Sequence, residues 1–272
     1  DPDCDRVGIA VPDGNGGYAL FSGNEVGALL LEYICQQRIK KGTMPENPIA
    51  VKTIVTTDIV NLIGKEYGVE IINVLTGFKF IGEQIGLLEA KGEEKRYIWG
   101  FEESYGYLSG SYVRDKDAVD ASMLICEMAA YYRTQGITLL QARENMYKKY
   151  GFFYQTLYSF TFEGASGMKK MADIMENLRN AHPTEIAGLK VIRFDDYKLS
   201  TSKNVVTGEV TELTLPKSNV LAFFLEGGSK VIVRPSGTEP KVKAYITSKQ
   251  DTREEAEAIE QKIYADFSKN ME

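Results

Sequence analysis

Residues 49 to 75 have the sequence IAVKTIVTTDIVNLIGKEYGVEIINVL, in which two apolar runs flank a stretch with helical periodicity. The first run, Ile49 to Val55, predicts a buried strand, and Asp58 can cap the helix that follows it. The second run, Glu70 to Leu75, predicts another strand. Because strands that alternate with helices form parallel sheets, this stretch predicts an α/β fold.

The same alternation continues on both sides of this stretch. It predicts a helix capped by Asn24, a helix through Ile81, Ile85 and Leu88, a strand over Tyr97 to Trp99, and a helical region from about Ala118. Residues 23 to 150 are therefore predicted to form a doubly wound α/β domain with a parallel sheet.

The pattern changes after Gly151. It predicts a strand over Phe153 to Phe162, a helix over Gly167 to Asn180, two strands joined by a tight loop between Val220 and Ile246, and a charged helix from Arg253 to about Ser268. Residues 151 to 272 are therefore predicted to form a small α+β domain with an antiparallel sheet.

Composition limits the classes of function. The chain has 272 residues and a net charge of −6, so it lacks the basic surface that a nucleic-acid partner requires. No apolar run approaches the roughly 20 residues that span a bilayer, so a membrane partner is not expected. Cys4, Cys35 and Cys126 are odd in number and widely spaced, which favours reduced thiols and a cytoplasmic protein.

The first candidate site is the acidic segment Asp1 to Arg6, in which Asp1, Asp3 and Asp5 alternate with other residues. Three carboxylates beside a guanidinium are hard oxygen donors suited to Mg²⁺ near a phosphate. An EF-hand loop is excluded, because its sixth and twelfth positions would be Arg6 and Pro12 instead of Gly and Glu. An acidic turn that binds no metal remains the alternative.

Polar groups also follow two predicted strands of the α/β domain. Thr76 to Lys79 follows the strand that ends at Leu75, and Gly100 to Gly106, with the sequence GFEESYG, follows Trp99. Ligands of open α/β sheets bind beyond the carboxyl ends of the strands, and carboxylates between glycines are good acceptors for sugar hydroxyls. An ordinary surface turn is the alternative for Gly100 to Gly106.

The third candidate is Arg234 to Pro240, with the sequence RPSGTEP between two apolar strands. A guanidinium, two hydroxyls and a glycine amide within five residues can surround a phosphate. Because the same residue types favour turns, a hairpin loop without a ligand is the alternative.

In order and spacing, these segments resemble the motifs of the α-D-phosphohexomutase family, which includes bacterial phosphoglucomutases and relatives of phosphopentomutase. Asp1 to Arg6 resembles the metal-binding loop of the family, Gly100 to Gly106 its sugar-recognition loop, and Arg234 to Pro240 its phosphate-binding loop. Thr76 to Lys79 and Arg114 to Asp117 also fit. Cys4 departs from the family, which commonly has Gly or another small residue there.

The resemblance implies a position within a protein of four domains. Residues 1 to 22 would be the tail of the second domain, with the metal-binding loop, residues 23 to 150 the third domain, and residues 151 to 272 the fourth. The first domain and most of the second, including the loop that carries the phosphorylated serine, would be partners from the same longer chain.

The resemblance also implies a function, the interconversion of glucose 1-phosphate and glucose 6-phosphate through a phosphoserine enzyme and a glucose 1,6-bisphosphate intermediate. The implied roles are Mg²⁺ binding by Asp1, Asp3 and Asp5, catalysis by Arg6 and Lys79, sugar binding by Glu102 and Ser104, and phosphate binding by Arg234, Ser236, Gly237 and Thr238. Without the serine loop, these 272 residues would bind a phosphosugar and not turn it over.

Two other functions remain open from the sequence. A phosphomannomutase or phosphopentomutase of the same family would carry similar loops. A phosphatase of the haloacid-dehalogenase type would instead use Asp1 and Asp3 as its aspartyl pair, and it would release phosphate without any further domain.

Overall fold

The chain forms two compact units, Asp1–Tyr150 and Gly151–Glu272, in a computed structural model that describes residues 1–164, 166–237 and 239–271. The strands of the first unit are β1 (Ile9–Pro12), β2 (Tyr18–Phe21), β3 (Ile49–Thr53), β4 (Glu70–Val74), β5 (Tyr97–Glu102) and β6 (Gly106–Leu108). Its helices are α1 (Gly23–Lys41), α2 (Ile59–Tyr67), α3 (Phe78–Glu89), α4 (Ala118–Thr134) and α5 (Leu139–Tyr150), with a short 3-10 helix at Glu94–Arg96.

The main sheet of the first unit has the order β4-β3-β5-β6, and β1 and β2 form a separate antiparallel hairpin. Strand β3 runs parallel to both β4 and β5. Helices cover both faces of the sheet. On one face the ring of Phe101 packs against Gly27 of α1, and on the other face the preceding residue, Gly100, packs against Ile81 of α3. The predicted doubly wound α/β fold is confirmed.

Strand β6 departs from the predicted parallel sheet, because it runs antiparallel to β5. Only three residues separate β5 from β6, and a parallel connection needs about a dozen. The predicted end of β5 at Trp99 was also wrong. The strand continues to Glu102, and all six of its residues are buried.

The start of α1 also differs from the prediction. Ser22, not Asn24, is the N-cap, and it forms a capping box in which its hydroxyl accepts from the Glu25 amide while the Glu25 carboxylate accepts from the Ser22 amide. Asn24 Oδ1 instead accepts a hydrogen bond from the backbone N–H of Thr57, 3.0 Å away. Asn24 therefore ties α1 to the segment that follows β3.

The second unit is built on one large antiparallel sheet. Its strands are β7 (Phe152–Thr161), β8 (Glu185–Ile186), β9 (Leu189–Asp196), β10 (Thr201–Asn204), β11 (Val210–Glu212), β12 (Leu221–Leu225), β13 (Lys230–Pro235) and β14 (Lys241–Gln250). Its helices are α6 (Gly167–Ala181) and α7 (Arg253–Phe267), with 3-10 helices at Glu226–Gly228 and Ser268–Met271. The order is β11-β10-β9-β12-β13-β14-β7, with β8 beside β9 and every pair antiparallel. The predicted α+β fold is confirmed.

The region from Val220 to Ile246 contains three strands where two were predicted. Gly227 and Gly228 have φ of 77° and 90°, and they reverse the chain between β12 and β13. Glycine adopts these angles without steric cost, so the reversal takes few residues and the two strands resemble one apolar run in the sequence.

The described chain contains three free cysteines, of which Cys35 is buried and Cys4 and Cys126 are exposed. Burial raises the pKa of the Cys35 thiol to about 12. Among the helices described, none is long and apolar enough to cross a membrane.

The contact between Gly27 and Phe101 can be tested with a matched pair of substitutions. A Cβ at Gly27 would lie 2.1 Å from Phe101 Cδ2, whereas a Cβ at Gly86 in α3 has no atom within 4 Å. We expect Gly27→Ala to destabilise the first unit by about 1–3 kcal/mol and Gly86→Ala to stabilise it by about 0.5–1 kcal/mol. Urea denaturation followed by the fluorescence of Trp99, the single tryptophan, measures both. An unchanged midpoint for Gly27→Ala would contradict this packing.

Candidate functional site

The acidic segment at the start of the first unit folds into a tight loop. Ligand atoms of Asp1, Asp3 and Asp5 all lie within 4.8 Å of one another. Asp1 Oδ1 accepts the backbone N–H groups of Asp5 and Arg6, each at 3.3 Å. Cys4 lies inside the loop with φ of 56°, in the left-handed region that favours glycine. The three carboxylates therefore converge as a metal site requires.

Cations partly neutralise this loop. Arg6 Nε lies 2.6 Å from Asp1 Oδ2 and 3.4 Å from Asp5 Oδ1. Lys116 Nζ lies 2.8 Å from Asp5 Oδ2, and its hydrogen bond is the main reason that the pKa of Asp5 is lowered. Asp5 Oδ1 is buried and accepts no hydrogen bond from any described residue. An oxygen held in this state fits a divalent cation with hard oxygen ligands.

The backbone fastens the acidic loop beside the turn between β5 and β6. The amide of Val7 donates to the carbonyl of Tyr105 at 3.2 Å, and Arg6 forms a β-bridge with Gly106. On its other side, the carbonyl of Cys4 accepts from the amide of Ala118, the first residue of α4. The carboxylates and the turn therefore belong to one assembly.

The predicted loop Gly100 to Gly106 is a strand end followed by a turn. Glu102 is 8% exposed at the end of β5, and its Oε1 accepts the backbone N–H of Gly77 at 2.9 Å. Burial, and then the charge of Glu103, raise the pKa of Glu102. Ser104 is exposed in the turn. The first half of the predicted loop is a strand because β5 is buried along its whole length, with Gly100 and Phe101 packed against helices on opposite faces.

Glu103 and two threonines form a further polar group that the sequence did not indicate. Glu103 Oε2 lies 3.4 Å from Thr53 Oγ1 and 3.5 Å from Thr56 Oγ1. The two hydroxyls are 2.7 Å apart and both residues are fully buried. These contacts hold the start of the turn against the end of β3.

Lys79 lies in the first turn of α3, next to Gly77, whose amide binds Glu102. This hydrogen bond brings the segment before α3 to the same edge of the sheet as Glu102. Lys79 itself is exposed, with Nζ 4.8 Å from the centroid of the Phe80 ring. The exposed ammonium group is open to contact with an incoming anion.

In the second unit, the predicted phosphate loop joins β13 to β14. The Ser236 amide donates to the Lys241 carbonyl at 2.7 Å, and Ser236 Oγ accepts from the Glu239 amide at 3.3 Å. Gly237 is exposed, and Thr238 lies outside the described residues. Ser236 therefore contacts residues at the other end of this connection, and Gly237 beside it is exposed.

A second cation accompanies Arg234 on this hairpin. Arg234 pairs with Lys243 across the two strands, so both side chains leave the same face of the sheet. Lys243 was not predicted from the sequence, because only the pairing of β13 with β14 brings it beside Arg234. Lys116 was likewise not predicted, although the charged run Arg114 to Asp117 had been noted.

Comparison with protein families divides the chain as follows. The model of the phosphoglucomutase/phosphomannomutase alpha/beta/alpha domain III matches residues 22–150. The model of the C-terminal domain of phosphoglucomutase/phosphomannomutase matches residues 165–265. Together they match well over half of the chain.

Curated relatives include phosphoglucomutases of two staphylococci. The protein of Staphylococcus epidermidis is 39% identical over 247 residues, which are 91% of this chain and 44% of that protein. The protein of Staphylococcus aureus is 40% identical over 249 residues, which are 92% of this chain and 44% of that protein. The chain thus spans less than half the length of these relatives.

Solved structures with a similar fold have low sequence identity. Parafusin from Paramecium, a phosphoglucomutase in its open form, is 18% identical with a TM-score of 0.71, over 100% of this chain and 44% of that one. An Aspergillus fumigatus N-acetylphosphoglucosamine mutase, in complex with GlcNAc-6P and magnesium, is 13% identical with a TM-score of 0.51, over 99% of this chain and 48% of that one. These structures show the shared fold, and the two matching family models show that the chain belongs to the phosphoglucomutase/phosphomannomutase family.

Proposed function

We propose that this chain is the part of a phosphoglucomutase that binds the metal ion, the sugar and the phosphate that is not being transferred. The proposal rests on the attachment of the acidic loop to the turn between β5 and β6, with Glu102 immediately before that turn and Ser104 within it. Phosphoryl transfer on a sugar requires a site that neutralises phosphate charge directly beside acceptors for sugar hydroxyls. The names of the staphylococcal relatives favour glucose over mannose or a pentose.

The proposed reaction interconverts glucose 1-phosphate and glucose 6-phosphate. A phosphoserine gives its phosphoryl group to the substrate, and glucose 1,6-bisphosphate then returns the other phosphoryl group to the serine. The serine would come from a part of the protein outside these residues, since the relatives are more than twice as long. We propose that residues 1–22 complete the preceding domain and that residues 23–150 and 151–272 are the third and fourth domains.

Each site residue has a proposed role. Asp1, Asp3 and Asp5 would hold Mg²⁺, which supplies neutralising charge when it is bound. Arg6, already beside two of these carboxylates, would face the transferring phosphoryl group. Lys79 would contact phosphate, because it is exposed at the same sheet edge as Glu102.

The remaining residues would bind parts of the substrate that do not react. Glu102 and Ser104 would accept and donate hydrogen bonds to sugar hydroxyls in either orientation of the ligand. In the second unit, Arg234 would bind the phosphate that is not being transferred, together with Ser236, Gly237 and Thr238. We add Lys243, which pairs with Arg234 in the strand register, as a further source of positive charge.

A ligand titration tests the proposal and ranks the sugars. We expect glucose 6-phosphate to bind this chain saturably in ligand-observed NMR, more tightly than mannose 6-phosphate or ribose 5-phosphate, and without conversion to glucose 1-phosphate. We expect Arg234→Ala to weaken the affinity by about 10–100-fold, since hydrogen bonds to charged groups are the strong ones.

Lys217→Ala is the matched control for this titration, because Lys217 is an exposed cation of the same unit outside the hairpin. Equal affinity in the Arg234→Ala variant would contradict the assignment of the phosphate loop. Release of inorganic phosphate by the chain alone would support the aspartyl phosphatase instead.

Metal binding can be tested separately with Mn²⁺, a paramagnetic substitute for Mg²⁺. We expect Mn²⁺ to broaden the backbone NMR signals of residues near the acidic loop, such as Val7 and Ala118, and excess Mg²⁺ to restore them. Asp3→Ala should abolish the broadening, because it removes one of three converging ligands. Asp173→Ala, which removes an exposed carboxylate in α6, should leave it unchanged. Broadening that survives Asp3→Ala would overturn the metal assignment.

The raised pKa of Glu102 predicts a pH-dependent cost to the fold. The folded state binds the proton of Glu102 more tightly than the unfolded state does, so ionised Glu102 destabilises the fold at neutral pH. This destabilisation disappears as the pH falls below about 4, near the pKa of Glu102 in the unfolded chain. We expect Glu102→Gln, whose amide oxygen can still accept from Gly77, to melt at a higher temperature than wild type at pH 7 and at the same temperature below about pH 4.

The same substitution should weaken phosphosugar binding, because an ionised carboxylate is the stronger acceptor for a hydroxyl. Glu83→Gln, at an exposed position of α3, is the control and should change neither property. A lower melting temperature of Glu102→Gln at pH 7 would contradict the direction of the pKa shift.

A further inference from the structure

A cavity of about 170 Å³ lies in the first unit between α1 and α4. Its lining combines an apolar floor with polar and charged side chains. The polar and charged lining residues include Tyr33, Gln37, Arg38, Lys41, Ser109 and Glu127.

This cavity is remote from the proposed phosphosugar site. Helix α1 begins at Gly23, whose carbonyl accepts the Tyr107 hydroxyl and whose Cα packs against the carbonyl of Glu103 in the β5–β6 turn. Gln37 is fourteen residues further along the helix, a rise of about 21 Å. The cavity therefore lies near the opposite end of α1 from that turn.

One lining group is a buried donor without an acceptor. Gln37 Nε2 is buried and has no hydrogen-bond partner among the described residues. In contrast, the amide and hydroxyl of Ser109 both donate to Asp120, at 3.0 and 2.7 Å. Because buried polar groups are nearly always paired, this amide calls for an acceptor oxygen, which a water or a ligand in the cavity can supply.

The charges at the mouth favour an anion. Arg38 and Lys41 are both on the lining, and Lys41 Nζ is 4.0 Å from its carboxylate partner, Glu127 Oε1. Glu127 also accepts from the Tyr33 hydroxyl, and burial followed by the charge of Glu127 raises the pKa of Tyr33 to about 12. Among the charged residues of the lining itself, two cations thus accompany one carboxylate that is already shared, and an anionic group fits between Arg38 and Lys41.

We propose that this cavity is a second ligand site, which takes a small organic anion with a backbone of about three carbons. An oxygen of its uncharged end accepts from Gln37 Nε2, and its phosphate or carboxylate group lies between Arg38 and Lys41. The size supports this class, because a cavity of about 150 Å³ holds a molecule as small as benzene. This site lies near the opposite end of α1 from the proposed catalytic site, so we expect the two to bind their ligands independently.

The test is a titration of the ¹⁵N-labelled chain, followed by the side-chain amide signals of Gln37, which are assigned by their absence in Gln37→Met. The probes are glycerol 3-phosphate and glycerate, each with three carbons, one anionic group and one uncharged end, with uncharged glycerol and inorganic phosphate as controls. We expect both organic anions to shift the Gln37 signals saturably at millimolar concentrations, and both controls to shift them far less. Which anion binds more tightly distinguishes a phosphate from a carboxylate ligand.

Matched variants on α1 separate this site from nonspecific effects. We expect Gln37→Met and Lys41→Met to weaken binding about tenfold, as read from backbone signals around the cavity. Gln36→Met and Lys40→Met should leave it unchanged, because Gln36 binds the Tyr67 hydroxyl and Lys40 lies over the Tyr131 ring, away from the cavity. Arg234→Ala should also have no effect, which distinguishes this site from the phosphate loop.

Several results would overturn the proposal. They are the absence of any saturable shift, an equal response to glycerol, and affinity that survives Gln37→Met. A higher melting temperature of Gln37→Met without any effect of the anions would show that the cavity is only a packing defect. Lys41 is largely exposed, so Lys41→Met should keep the fold and would decide the question if Gln37→Met did not fold.

Discussion

Close packing of β5 against α1 is the constraint on which the arrangement of the first unit depends. The ring of Phe101 occupies the space that a side chain at Gly27 would take, and Trp99 Nε1 donates to the Gly27 carbonyl at 3.1 Å. Tyr107 on β6 stacks on Trp99, with ring centroids 5.9 Å apart. Because β5 is buried along its whole length, this packing sets the position of Glu102 at its end and of the following turn, which contacts the acidic loop.

Electrostatics explains how three carboxylates can share a loop within a protein of net charge −6. Like charges this close repel, and the repulsion is offset by Arg6 on one side and Lys116 on the other. Burial alone lowers the pKa of Lys116, but hydrogen bonds to Asp5 and Asp115 more than reverse this and raise it. The lysine is thus charged at neutral pH, where the carboxylates are ionised, and with Arg6 it offsets part of their repulsion.

Much of the fold follows from sequence periodicity, and the errors have physical causes. Helices α1, α2, α3, α6 and α7 and strands β3, β4, β7 and β14 were predicted because each buries one regular face or a continuous apolar run, whereas α4 and α5 were predicted as one helical region. Strands β6, β8, β9, β10 and β11 were missed, because β6, β8, β10 and β11 are short and β9 ends in two buried aspartates. The candidate site loops were predicted from residue type, from their position after predicted strands and from the family resemblance. The contacts of Lys116, Lys243 and Glu103 were not, because they depend on which strands are neighbours and in which register.

In the second unit, strand register sets both the hydrophobic core and the position of the proposed phosphate-binding side chains. Val233 and Val242 belong to its hydrophobic core, while Arg234 and Lys243 lie between core positions on the paired strands β13 and β14. A slip of either strand by one residue would move its valine out of this core and its cation into it, so the core favours the observed pairing. The same core contacts that stabilise the hairpin therefore place Arg234 and Lys243 beside each other. The proposed phosphate ligand would meet two cations already in place, which lowers the entropic cost of binding.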